Sequence, residues 1–206
     1  MDLPAFDTAV TAWFSTFLSW LKLGRQRLTG APLLIVERPG GIGDLLCVLP
    51  AAAALKTKHP GARLIFFTSR DFVPLMELSE LADCVVPAET RGLSRLRKWL
   101  RPVLDIYPLL PDELTPAQPR GRIHLIEEFA RALNVQDIAL QHPRLTPLSR
   151  DIERMKSLLK KNGLAHSPFV VMHAGPTWAV KQWPLKKWAA LAARLQQEQG
   201  MQTIQM

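Results

Sequence analysis

"LLIVERPGGIGDLLCVLP", residues 33–50, decides how this chain folds. Leu33 to Val36 is an unbroken apolar run, the pattern of a strand buried on both faces. It ends in a glycine-rich turn, Gly40-Gly41-Ile42-Gly43, and the turn closes on a carboxylate, Asp44. Residues 44–59 then have a helical pattern, in which Pro50 must kink the helix or begin a new one. "RLIFFT" at 63–68 is a second strand candidate, Asp71 to Leu78 a short helix, and Cys84 to Val86 a third, short strand. This β-α-β-α-β order, with apolar strands and short connections, predicts a parallel sheet covered by helices.

A glycine turn between a strand and a helix commonly cradles phosphate, because a helix N-terminus carries positive partial charge. This turn matches neither G-x-G-x-x-G nor the Gly-Lys-Ser/Thr ending of a P-loop. A carboxylate at the tip also works against phosphate. Two readings of Asp44 stand. Aspartate is a favoured N-cap, and glycines favour tight turns. Alternatively, an ionised carboxylate beside a turn that lets a substrate approach closely is suited to act as general base for a hydroxyl.

Residues 87–120 are less regular. Arg91, Arg95, Arg97, Lys98 and Arg101 surround Leu93, Leu96, Trp99 and Leu100, which suggests a solvated basic helix face. Prolines crowd 102–119 and predict a loop. Ile123 to Leu133 and Ser149 to Lys161 read as helices, the second stopped by Asn162-Gly163, and Pro143 to Pro147 as an extended segment. The strand-turn-helix pattern then restarts. "PFVVMHAG" runs from a strand into a turn. Pro184 opens a helix that carries Leu185, Trp188, Leu191, Ala192 and Leu195 on one face and stops at Gly200. "MQTIQM" begins a further strand. One strand, one helix and a beginning strand cannot bury a core alone, so the chain reads as a complete first α/β domain and the opening of a second.

The second turn, "HAGPTWAVKQWP" at 173–184, carries a different chemistry. The amides of Gly175 and Thr177, the Thr177 hydroxyl, Lys181 and the following helix N-terminus could together hold a diphosphate. The alternative is a lysine on a solvated loop.

Composition sets the wider frame. The 206 residues carry a net charge of +8, and 48% of them are hydrophobic. The basic balance suggests anionic partners. Cys47 and Cys84 lie far apart and the five histidines form no metal-ligand pattern, which points to a reducing, cytoplasmic compartment and no metal site. Phe6, Val10, Trp13, Phe14, Phe17, Leu18 and Leu21 recur at helical spacing, with Asp7, Thr8, Thr11, Ser15, Ser19 and Lys22 filling much of the other side. The cations Lys22, Arg25 and Arg27 follow the apolar part, unlike a signal peptide, and the segment is too short and polar to span a bilayer. It is either a helix docked on its own domain or one lying in an anionic membrane interface.

"LLIVERPGGIGDLLCVLPAAAALKTKHPGARLIFFT" followed by "VVMHAGPTWAVKQWPLKKWAALAARL" resembles glycosyltransferase family 9, the lipopolysaccharide-core heptosyltransferases. The resemblance covers most of 33–86 and 168–206 and is looser between. It implies a GT-B architecture, with two Rossmann-like domains facing across a cleft. Here these would be an N-terminal helix over 1–30, a Rossmann-like acceptor domain with a parallel sheet over 31–165, and the start of a nucleotide-sugar-binding domain over 166–206. It further implies Asp44 as catalytic base, with Gly40, Gly41 and Gly43 as the acceptor-side loop. Gly175, Thr177 and Lys181 would contact the donor diphosphate. The implied donor is a nucleotide-sugar, typically ADP-heptose, the acceptor is the lipopolysaccharide inner core, and inverting transfer needs no cofactor or metal. The chain departs from the family in its extra N-terminal helix and in ending before the family's glycine-rich donor segment. The 206 residues are accordingly expected to be a truncated fragment, to bind donor weakly and to turn over little. The alternative is a non-catalytic relative acting as a binding module or pseudoenzyme. Nucleic-acid binding has nothing but charge in its favour and is not expected.

Overall fold

The computed structural model describes residues 6–106, 109, 124–135, 144–174 and 183–205, with side chains from residue 16 onward. The chain divides into two compact units, Met1–Thr146 and Pro147–Met206. The helix over 149–161, which the sequence reading placed with the first domain, falls in the second unit.

The first unit is a parallel sheet with helices on both faces. Helix α1 (Phe6–Leu28) leads into β1 (Leu33–Glu37), and α2 (Ile42–Lys58) into β2 (Arg63–Thr68). A short 3-10 turn and α3 (Val73–Glu77) precede β3 (Cys84–Pro87). Helix α4 (Leu93–Leu100) and β4 (Leu104–Ile106) follow, then α5 (Leu125–Ala132). All strand pairs are parallel, in the order β3-β2-β1-β4. This is the order of the first four strands of a Rossmann sheet, 3-2-1-4.

Every residue of β1 is buried, and alternate side chains feed separate cores. Leu34 and Val36 join Leu45, Val48, Leu55, Phe66 and Phe129 beneath α2 and α5. Leu33 and Ile35 join Leu23, Ile65, Phe67, Leu96 and Leu100 beneath α1 and α4. Two covered faces explain why the strands read as continuous apolar runs instead of alternating ones.

Three local readings are refined. Pro50 lies inside α2, which runs on as one helix from Ile42 to Lys58, so no second helix starts there. Within the predicted loop over 102–119, residues 104–106 form the edge strand β4 against Leu34–Val36. Arg97, grouped with the solvated basic face, is buried.

The second unit comprises α6 (Ser149–Lys161), β5 (Phe169–Met172), α7 (Leu185–Gln199) and β6 (Gln202–Gln205), with β5 and β6 paired in parallel. Pro184 is the N-cap of α7, one place earlier than read, and Gly200 ends the helix at φ 63°, a left-handed turn that suits glycine. Ile152, Met155, Leu158, Leu185 and Leu191 in this unit are exposed.

Candidate active site

In a β3-β2-β1-β4 sheet the connections run to opposite sides of β1, so the strand order reverses between β1 and β4, and open sheets of this kind bind ligands outside the carboxyl ends of the strands at such a point. The glycine turn leaves β1 at this point. Gly41 is the N-cap of α2, in extended conformation and without a side-chain cap. The first helical hydrogen bond runs from the Leu45 amide to the Gly41 carbonyl at 3.1 Å. Asp44 is therefore not the N-cap. It stands in the first turn of α2, with a side chain 39% exposed.

Its partner is Arg38, the first residue after β1. Arg38 Nη2 donates to Asp44 Oδ2 at 2.6 Å. The guanidinium is buried. Its Nη1 donates to the Leu109 carbonyl at 3.1 Å, and its plane lies 5.4 Å from the centroid of the Phe129 ring. The Arg38 backbone amide continues the sheet by donating to the Phe67 carbonyl at 2.9 Å. Arg38 thus spans from the end of β1 to the segment after β4 while one arm holds the carboxylate. It is not among the residues that the sequence pattern singles out. The available signal was a lone arginine between a buried strand and a glycine turn, six residues before an aspartate.

The three glycines of the turn differ. A Cβ on Gly40 would sit 3.3 Å from both Arg38 Nε and Asp44 Oδ2, so the bare backbone there makes room for the ion pair. A Cβ on Gly41 or Gly43 would meet nothing within 4 Å. The loop is open at those two positions.

A second ion pair braces the same strand end on the opposite face. Arg97 Nη1 donates to Glu37 Oε2 at 2.5 Å, and both side chains are buried. Arg97 also pairs with Asp105 of β4 at 2.8 Å and lies over the Phe67 ring. Burial pushes the Glu37 carboxyl above its ordinary range, against the opposing pull of Arg97. The end of β1 is thereby tied to α4 and β4. One turn along α2 from Asp44, burial and the Asp44 charge push the Cys47 thiol up. A protonated thiol is a poor nucleophile.

Gly175, Thr177 and Lys181 lie outside the described residues. Among the described residues, no group of three His, Cys, Asp or Glu side chains is placed to hold a metal ion.

The family model for glycosyltransferase family 9 (heptosyltransferase) matches residues 114–206. The fold of the chain is that of solved structures of such enzymes. A family 9 glycosyl transferase from Veillonella parvula superimposes with a TM-score of 0.68 at 15% identity, over 84% of this chain and 62% of the other. ADP-heptose lipopolysaccharide heptosyltransferase II of E. coli gives 0.58 at 15% identity, over 84% and 63%. TibC, an iron-containing dodecameric glycosyltransferase of enterotoxigenic E. coli, gives 0.57 at 20% identity, over 85% and 42%. TibC is also known in complex with ADP-D-β-D-heptose. No curated protein sequence matches significantly. The chain thus has the Rossmann-like GT-B fold and spans less than two thirds of the length of these three structures.

Proposed function

We propose that this chain belongs to an inverting glycosyltransferase that moves heptose from ADP-heptose to the lipopolysaccharide inner core. In this reading the first unit receives the acceptor, and the donor domain begins within the second. The observation that carries it is the half-exposed Asp44 carboxylate held by buried Arg38 at the sheet's switch point. Ligands of open α/β sheets bind at that place.

Asp44 Oδ2 is engaged by Arg38, which would leave Oδ1 to take the proton of the acceptor hydroxyl. The carboxylate takes the hydroxyl proton as the acceptor oxygen bonds to the anomeric carbon. The bond from that carbon to the diphosphate oxygen breaks on the opposite side, and ADP leaves with the electron pair. One displacement inverts the configuration. Lys181, Thr177 and the Gly175 amide would stabilise the charge that develops on the diphosphate, a role that calls for no metal. Support for the donor comes from the family match and from TibC, which has been solved with ADP-D-β-D-heptose. An acceptor anchored in lipid places the protein at the cytoplasmic face of the inner membrane, in peripheral contact with it. No described helix is long and apolar enough to cross a membrane.

The direct test incubates the longest natural form of the protein with ADP-heptose and a heptose-deficient core acceptor, and follows ADP release and product anomericity. Transfer with inversion that disappears in Asp44→Asn supports the proposal. Retention of configuration, or no transfer to any core acceptor, removes it.

A further inference from the structure

Helix α1 docks by the wrong face for an ordinary surface helix. At 100° per residue, Ser19, Leu23 and Gln26 share one side of the helix, while Phe17, Trp20, Leu21 and Leu28 share another. Ser19 and Leu23 are buried, and Leu23 joins the core against β1 and β3. Gln26 Nε2 donates to the Asp83 carbonyl at 3.4 Å. The apolar stripe, which a globular helix normally buries, points outward: Phe17 is 49% exposed, Leu21 54% and Leu28 88%.

This stripe adjoins a second one on α4. Trp20 lies against Gly92, the N-cap of α4, and the Arg27 guanidinium sits 4.7 Å from the centroid of the Trp99 ring. Trp99 and Val103 are themselves exposed. Exposed cations flank the aromatic surface: Lys22, Arg25, Arg91, Arg95, Lys98 and Arg101. One of them, Lys22, also pairs with Glu77 at 3.5 Å. No acidic residue occurs in α4 or between residues 8 and 28 of α1.

We infer that α1 and α4 together form a docking face for an anionic bilayer surface. Phe17, Trp20, Leu21 and Trp99 enter the interface, and the flanking cations meet lipid phosphates. Tryptophan and cations at the rim of an apolar stripe match that environment on both counts. A second copy of the chain matches it less well, because it would bring the same positive charge to the contact. The inference deepens the peripheral-membrane reading above by naming its surface, and it stands on α1 and α4 whether or not the chain transfers heptose.

The test is co-sedimentation of the chain with phosphatidylcholine vesicles, with and without phosphatidylglycerol. Binding is expected to the anionic vesicles, to weaken in high salt, and to be slight on phosphatidylcholine alone. The combined variant Phe17→Ser, Trp20→Ser, Leu21→Ser should lower partitioning roughly tenfold or more. Its circular dichroism should stay that of the folded wild type, with at most a modest fall in melting temperature from the lost Trp20 contact at Gly92. Arg95→Glu with Lys98→Glu should abolish the preference for anionic lipid. Brominated lipid should quench tryptophan fluorescence in the wild type and less in Trp99→Phe. A folded chain that ignores anionic vesicles overturns the inference, as does a dimer that the triple variant dissolves. Transfer to a soluble core fragment is unaffected by either result, so failure here is distinguishable from failure of the transferase reading.

Discussion

Arg38 Nη2 lies 2.6 Å from Asp44 Oδ2, and the arginine is buried while the carboxylate is half-exposed. A buried guanidinium fixed by the Leu109 carbonyl and the Phe129 ring cannot follow the carboxylate, so it sets where the carboxylate points. Arg38 is therefore a positioning residue. Arg38→Lys keeps the charge but loses the fork that reaches both Asp44 and Leu109. Turnover should fall in Arg38→Lys and fall further in Arg38→Met, with the pH profile of kcat displaced in both. A loss of melting temperature with an unchanged profile would assign Arg38 to stability alone.

Asp44→Asn keeps the shape of the side chain and removes the base. General-base catalysis is worth about a hundred- to ten-thousand-fold, and turnover should drop by that order. Stability should change little, because Gly41 and not Asp44 caps α2. Near-normal turnover in the asparagine variant would reduce Asp44 to a partner for Arg38.

Gly43 separates two demands on the loop. A methyl group there meets nothing within 4 Å, and it stands in the first turn of a helix. Gly43→Ala should stabilise the protein by up to about 1 kcal/mol through backbone entropy. If the acceptor packs on this turn, the same change should raise the acceptor KM. Gly40→Ala should instead disturb the Arg38–Asp44 pair and lower kcat. Stabilisation with an unaltered KM would place the acceptor away from Gly43.

These relationships were unevenly legible in the sequence. Leu33 to Val36 announced a doubly covered strand because both faces bury apolar side chains. Asp44 stood out because a carboxylate is out of place in a phosphate turn. Arg38 did not stand out, because its role is made by Leu109, 71 residues away. Arg97 looked like one more cation of a basic helix until Glu37, 60 residues distant, was brought against it. Strand β4 has three residues between prolines and becomes a strand only by pairing with β1. Local pattern reveals the elements, while long-range pairing decides which charges are buried.

Asp83 gives a pH-dependent prediction away from the site. Burial pushes its carboxyl up, but the Leu64 amide, Arg63 and Lys56 more than offset this and hold it below its ordinary 3.8. The hydrogen bonds measure 2.9, 2.7 and 3.2 Å. A carboxylate with a lowered folded-state pKa stabilises above its unfolded value, and the contribution is lost as pH falls through the folded value. Asp83→Asn should therefore lower the urea midpoint at pH 7, and the gap to wild type should close as pH falls below about 3.8. Curves that stay parallel into acid would show that the Asp83 charge contributes nothing.

Lys181 carries the donor-side prediction. In the sequence it follows β5 and precedes α7, within the segment that the family 9 model matches. A lysine is a point charge on a phosphate, and charge-assisted hydrogen bonds contribute about 1.5–3 kcal/mol. Lys181→Ala should weaken ADP binding by roughly ten- to a hundredfold. Lys181→Arg should restore only part, because a planar fork presents its charge differently. Calorimetric titration of ADP into the longest natural form of the protein and both variants measures this directly. The pattern of effects matters more than the magnitude. If Lys181 holds the leaving diphosphate, its loss should lower both ADP affinity and turnover, whereas Asp44→Asn should lower turnover and leave ADP affinity intact. Equal ADP affinities for wild type and Lys181→Ala would remove Lys181 from the donor site.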